Sequence, residues 1–437
     1  MNDWIKAPVV LGAFLGFAPA LGYILRGRRQ WQRWCFALMV FMTSWHINKI
    51  SLMLGSIESY RGHTKGYETN FITVLGLALL VAASLERVPH FRWRAPGVGL
   101  WLLHCALSTL SFFVAPQPGY VLMAAWKFSS AIIILCAAYN WLQEEADLDY
   151  ALRAVAFTLM VQAVVVLKMK YVDRMYQVHG WFEHQNPLAM WSYLFGLPLL
   201  GAAMSRVGPA SSRWFGAGFV ASAIIVQSSL SRAALVFFAA GVVGTVFLSL
   251  VDEPTAKRVR FVIAMGLIGT VGLTAALGTI IARFNDEGNE ASGETRVVLN
   301  LASLAMLRDS AVGIGWNNYA ITINHPFPYG DVIDDWERAR GHRVDEEYAK
   351  GVVESHYWLL LAENGYGGCA SYVWFIVVTG WWAARGAWAR RRTFPGAFLI
   401  GLFMALGLIY VHSSLERVLT QTKNLSQWLL LLGLVAK

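Results

Sequence analysis

The chain is built from apolar runs of membrane length, repeated from near its first residue to its last, and no feature limits its fold more. Runs of roughly 17–25 apolar residues match the hydrocarbon core of a bilayer. About a dozen can be marked, near 8–25, 34–54, 71–85, 97–115, 120–141, 150–167, 187–204, 214–228, 233–251, 261–282, 367–384 and 396–412. Only 14% of the residues are charged and 56% are hydrophobic, against about 25% charged in a typical soluble domain. Backbone polar groups in lipid must be satisfied within the segment, so runs of this length predict helices. The expectation is an all-α integral membrane protein with about 12 transmembrane helices and a single polytopic domain over residues 1–437. The short run Trp428 to Val435 is too short to span alone. It is expected to complete a bent last helix or to lie at the interface. No charged segment followed by a small-residue cleavage site precedes the first run, which is therefore read as a retained helix.

The net charge of +9 is not a nucleic-acid signal, because the basic residues sit in alternate short loops. Arg26, Arg28, Arg29 and Arg33 follow the first run, and Arg87, Arg92 and Arg94 the third. Arg206 and Arg213 follow the seventh, Lys257, Arg258 and Arg260 the ninth, and Arg385, Arg390, Arg391 and Arg392 the eleventh. Cytoplasmic loops carry this excess of Lys and Arg. The long polar insertion at 283–355, between the tenth and eleventh runs, falls on the opposite side. It holds seven basic and thirteen acidic side chains. In a bacterium this face is the periplasm, and the same parity puts the N-terminus there. Cys35, Cys105, Cys136 and Cys369 show no paired spacing and read as buried small hydrophobes.

Within the insertion, Arg296 to Arg308 carries apolar residues at helical spacing and is expected to lie on the membrane surface as an amphipathic helix. Gly313 and Gly315 follow, with the conformational freedom that a helix end often needs. Pro326 and Pro328 then exclude regular helix, and the charged stretch Asp331 to Val353 reads as a solvent-facing helix or lid. His356 to Asn364 predicts a further helical piece, stopped at Gly365. No low-complexity tract, repeat or pair of matched broken helices is present, of the kind transporters show.

Chemistry requires polar residues that the apolar runs do not explain. Arg232 lies in a short outward turn, where small neighbours such as Ser231 clear space for a guanidinium that can grip a phosphate bidentately. The bland alternative is an arginine snorkelling to the interface. Arg296 heads the proposed interfacial helix. His356, at the insertion's exit, would be held neutral by nearby arginines, the form a general base needs. Ser355 beside it has neither a nucleophile elbow nor an acid partner. Lys127 lies within an apolar run, and Lys49 and His46 are weaker cases of the same kind. Glu183 and His184 lack partners at metal spacing, and Asn186-Pro187 is expected to start a helix. His412, Glu416 and Arg417 form an outward polar patch without an assignable role.

In order, Ser229 to Ala234 (Ser-x-Ser-Arg-x-Ala), Arg296, Gly313 to Tyr319 (Gly-x-Gly-x-x-x-Tyr) and His356 through Leu360 to Gly365 (His-x-x-x-Leu-x-x-x-x-Gly) resemble the O-antigen ligase and polymerase superfamily of bacterial envelope glycosyltransferases. Gly180 to Pro187 (Gly-x-Phe-x-x-x-Asn-Pro) resembles a segment upstream in the same proteins. The likeness covers roughly residues 180–368; the amino-terminal third matches in hydropathy only. It implies a GT-C-like fold, no cofactor and no metal, and an inverting transfer from an undecaprenyl-pyrophosphate-linked glycan in the periplasm. By that likeness Arg232 and Arg296 hold the pyrophosphate and His356 deprotonates the acceptor hydroxyl, with Lys127, Asn186, Ser231 and Tyr319 in support. The partners implied are the lipid-linked donor, a lipid A–core (lipopolysaccharide) acceptor and membrane lipids, at the bacterial inner membrane. The acidic run from Asp331 to Glu354 departs from the family pattern. Rival readings are a polymerase or a protein O-oligosaccharyltransferase of the same superfamily and, from another class, a lipid-linked oligosaccharide transporter.

Overall fold

The computed structural model describes residues 3–46, 51–88, 91–205, 211–252, 288–341 and 350–437, with isolated residues between 254 and 281. The fold is almost wholly helical. Five of the described helices are long and apolar enough to cross a membrane: Asp3–Leu25, Pro118–Trp141, Glu145–Val172, Arg232–Val251 and Phe394–His412. Phe71–Leu85 and Val98–Phe113 are shorter and equally apolar. The tenth apolar run and Lys49 lie largely or wholly outside the described residues.

Helix Gln185–Ala203 is the central post, buried from Pro187 to Ala203 and packed against Ser212–Ser229, Arg232–Asp252 and Phe394–His412. Lipid supplies no hydrophobic drive between helices, so close backbone approach through small residues carries such packing. Gly201 and Gly401 do this reciprocally. A Cβ on Gly201 would strike the Ala397 carbonyl oxygen, and one on Gly401 the Leu197 carbonyl oxygen.

Two expectations about the runs are corrected. The described residues of the run 34–54 hold helix Arg29–Met42 and strand Ser51–Leu54 and no continuous helix. Thr43 and Ser44 return their hydroxyls to the Val40 and Phe41 carbonyls at 2.7 and 2.9 Å, which competes with continuation of the helix. The strand pairs antiparallel with Tyr67–Asn70, from Ser51 opposite Asn70 to Leu54 opposite Tyr67. The closing run does not complete the preceding helix. Thr422–Val435 is a separate helix buried in the bundle against Ile132–Trp141. Two of its side-chain amides tie it to helix Gln185–Ala203, Gln427 donating to the Trp191 carbonyl at 2.7 Å and Asn424 to that of Pro187 at 3.1 Å.

The insertion forms a small unit with its own core. Helix Gly288–Asp309 turns Val298, Leu299, Ala302 and Met306 toward Tyr319, Ile323, Ile333 and Leu359. The insertion thus supplies its own apolar partners for part of the 296–308 helix, while Val297 and Leu301 stay exposed. Asp331–Ala339 is helical as expected.

The exit helix His356–Ala389 is broken at Gly365, with φ 62° and ψ −167°. The break leaves carbonyls without their helical donors, and the Gly-Ile-Gly segment takes them over. Ile314 N–H donates to the Ala362 carbonyl at 2.9 Å and Gly315 N–H to that of Glu363 at 3.1 Å, while Tyr366 N–H donates to Ala311 at 3.0 Å. Gly313 and Gly315 have φ of 85° and 112°, and a Cβ on Gly365 would run into the Ala311 carbonyl oxygen. This dihedral region is essentially restricted to glycine, at about 1–3 kcal/mol for other residues. Gly365→Ala is therefore expected to destabilise the protein by at least about 2 kcal/mol. A lower melting temperature in detergent and faster proteolysis of the insertion would show it; a wild-type melting curve would contradict it.

Candidate functional site

The exit helix begins at an N-cap, Ser355, whose hydroxyl accepts from Trp358 N–H at 3.5 Å. His356 N–H donates to the Ser413 carbonyl at 2.9 Å, which fastens the insertion's exit to the end of helix Phe394–His412. The His356 side chain is 1% exposed, meets the edge of Tyr372 at 4.9 Å and has no hydrogen bond at either ring nitrogen. Burial, then the charges of His104 and Arg417, push its pKa down to about 3. Burial leads this shift, and Arg232 and Arg296, from which the sequence reading argued, are not among its causes.

Glu363 is seven residues on, two turns along the same helical piece. Its Oε1 accepts from Tyr319 N–H at 3.0 Å, and its Oε2 lies 3.5 Å from Nε2 of His63. Burial pushes its pKa up to about 8 against the opposing pull of hydrogen bonds and Arg417. His63 is itself buried and held well below the ordinary histidine range, chiefly by burial and then by Lys127, Arg417 and His356.

A second group gathers around Glu416. Arg296 pairs with Glu354 and, at 3.2 Å, with Glu416, which also accepts from Asn186 Nδ2 at 2.7 Å. Burial and then the neighbouring Glu354 push Glu416 up to about 7. Arg417 stands between the two groups. Glu363, Glu354, Glu416 and the Tyr319 hydroxyl all act on its charge. Its half-buried guanidinium makes no direct hydrogen bond or ion pair among the described residues. Charge is therefore concentrated where helix Phe394–His412 ends and the insertion docks.

The remaining predicted residues are placed as follows. Arg232 is half-buried at the first position of helix Arg232–Asp252, after buried Ser231 and left-handed Leu230. That helix carries Phe237, packed on His412 at 4.7 Å, and Tyr193 hydrogen-bonds the same histidine at 3.1 Å. Tyr319 is fully buried and its hydroxyl donates to the Leu299 carbonyl at 3.2 Å, so its ring holds the insertion helix while its N–H holds Glu363. Lys127 pairs with Glu68 at 3.2 Å and donates to the His63 carbonyl at 2.8 Å. His184 caps helix Gln185–Ala203 through Nδ1, accepting from Asn186 N–H at 3.3 Å. His325, Asp331 and Asp334 present ligand atoms within 4.8 Å of one another, although Lys350 occupies Asp334 at 3.0 Å.

Glu363, His63 and Glu68 escaped the sequence reading, and Arg417 was seen without a role. An acid inside Leu359-Leu360-Leu361-Ala362-Glu363 was a signal in itself, since an ionisable residue in an apolar helix demands a partner. His63 carried no such signal, because its loop is ordinary in composition.

No protein-family model matches the chain, and no curated protein is similar to it in sequence.

A carboxyl whose pKa is raised in the fold binds its proton more tightly there than in the unfolded chain. Stability is full below about pH 4.5 and falls as pH rises from there through about 8. Glu363→Gln keeps an acceptor for Tyr319 N–H and removes this loss. Its melting temperature relative to wild type is expected to be higher at pH 8.5 than at pH 5 by several degrees, on the order of the shift that one or two kcal/mol gives. A pH-independent difference between the two proteins would refute it.

Proposed function

We propose that this chain is a membrane glycosyltransferase of about twelve spans, GT-C-like, with its site at the periplasmic face of the bacterial inner membrane. It moves a glycan from undecaprenyl pyrophosphate to a hydroxyl of a lipid A–core oligosaccharide, with inversion and without a metal, as an O-antigen ligase does. The observation that carries this reading is Arg417, which acts on His356 and Glu363, lies beside the Glu416 that pairs with Arg296, and has no direct partner of its own among the described residues.

In the reaction the acceptor oxygen forms a bond to the anomeric carbon, whose bond to the phosphate oxygen breaks. The electron pair leaves with the diphosphate, and the hydroxyl proton passes to His356. Fixed cations aimed at the leaving group stabilise the charge that grows on it. Arg417, with Arg296 and Arg232, is assigned this task. Arg296 is already neutralised by Glu354 and Glu416, which leaves Arg417 the better placed to take an anion. A buried imidazole beside a cation is a weak base until that field is cancelled. A bound diphosphate supplies the cancelling charge and so raises the basicity of His356. Base strength is thereby tied to donor occupancy.

His356→Ala is expected to lower transfer by about 10²–10⁴-fold, the usual worth of a positioned base, with the protein still inserted and folded. Arg417→Ala, Arg296→Ala and Arg232→Ala should raise the donor KM, and lysine should rescue poorly because it cannot bind bidentately. The assay combines purified protein, lipid-linked donor and O-antigen-free lipopolysaccharide, with products resolved on a gel. A lipopolysaccharide band shift requiring His356 supports the ligase. A ladder of longer lipid-linked glycans instead identifies a polymerase, and full activity of His356→Ala overturns the base assignment. Transfer is also expected to persist in excess chelator. Its loss there would move attention to His325, Asp331 and Asp334.

A further inference from the structure

A cavity of about 640 Å³ is walled by the 51–70 hairpin, the 118–130 helix, Glu183 and residues 421–423. It includes none of His356, Arg232, Arg296 and Arg417. Its inner end is His63, whose side chain is 3% exposed and whose two ring nitrogens have no hydrogen bond. A buried imidazole left without hydrogen bonds costs free energy unless something else completes it. One nitrogen faces Glu363 at 3.5 Å, on the side where Arg417 and His356 exert their charge on the ring. His63 thus stands between the cavity and the reacting centre.

The lining decides the chemistry of what enters. Lys6, Lys65, Lys127 and Lys423 are balanced by Glu58, Glu68 and Glu183, with serine and threonine hydroxyls between them. Lys127 and Glu68 form a pair at 3.2 Å, and Glu68 also accepts from Thr422 at 2.6 Å and Ser51 at 3.0 Å. Lys423 donates to the Trp181 carbonyl at 2.6 Å and lies over the Phe182 ring at 3.9 Å. A polyprenyl chain would leave these charges desolvated. A bare phosphate would meet three carboxylates. Sugar hydroxyls both donate and accept, so a wall that offers both donors and acceptors suits them. The volume lies inside the roughly 300–1,000 Å³ typical of ligand sites.

We propose that this cavity is a saccharide-binding site of the transfer reaction, with a sugar hydroxyl completing the hydrogen bonding of His63. The proposal rests on the glycosyl-transfer reading for the identity of the sugar. Acceptor core and donor glycan share the chemistry, and the test separates them.

Wild type, His63→Gln and Ser56→Trp, which fills the cavity from the hairpin, are compared in detergent by calorimetric titration. The probes are lipid-free core oligosaccharide and the glycan freed from its lipid diphosphate. One of the two sugars is expected to bind saturably to wild type and at least tenfold more weakly to both variants. In the transfer assay the KM for the corresponding substrate should rise by a similar factor: acceptor KM if the core sugar binds, donor KM if the freed glycan does. A KM change without a change in kcat marks a binding role, which a general folding defect would not imitate. Transfer with neither sugar binding, and with both KM values unchanged in Ser56→Trp, would overturn the cavity assignment and leave the transferase reading standing. Saturable binding that both variants weaken, without transfer by any enzyme preparation, would sustain the site and overturn the transferase reading.

Discussion

The docking of the insertion on the bundle depends on a broken helix whose exposed carbonyls are bonded by another segment of the chain. At Gly365 the exit helix gives up its own hydrogen bonds, and Ile314 and Gly315 N–H groups replace them on Ala362 and Glu363. An unpaired carbonyl at this depth would be costly, so the break and the docking segment stabilise one another. The same contact fixes the insertion on the bundle. It also sets the direction of the Glu363 carboxylate, because Tyr319, four residues beyond Gly315, donates to it.

From that junction the contacts extend into the amino-terminal third. Asn317 has φ 62° and its side-chain amide exchanges hydrogen bonds with Thr64, at 2.9 Å and 3.3 Å. Its carbonyl accepts from Tyr60, Asn318 bonds the backbone of Gln117, and Trp316 N–H donates to Ser111 at 2.8 Å. The hairpin that carries His63 is therefore held by the segment that holds Glu363. Two loops more than two hundred residues apart form one rigid seat.

Charge is distributed economically over this seat. Arg296 is bound to two glutamates and Lys127 to one. Burial raises Glu363 and Glu416 toward neutrality, with Glu354 adding to it at Glu416, and burial followed by His104 and Arg417 lowers His356. Arg417 alone among these cations keeps its head group clear of a direct partner within the described residues. The arrangement disposes an otherwise balanced centre toward one anionic ligand.

The helical class and the stop at Gly365 were legible from sequence, because each follows from local composition or spacing. Run length predicts a helix wherever lipid is the solvent, and a glycine at a required positive φ marks itself. The strand at 51–54 was hidden inside an apolar run, since hydropathy does not register the hydroxyls of Thr43 and Ser44 returning to the backbone. The closing helix was hidden too, because a short apolar run looks the same at an interface and in a bundle core. The site was half legible. His356 and Arg296 stood out within one loop, while the companionship of Glu363 with His63, of Glu416 with Asn186, and the central place of Arg417 are contacts between distant stretches. The sequence by itself determined that the chain is built mainly of apolar helices and which polar residues stand out among them. Only the tertiary structure decided which of those residues neutralise one another and which keep a charge for a ligand, because that depends on distances no linear pattern records.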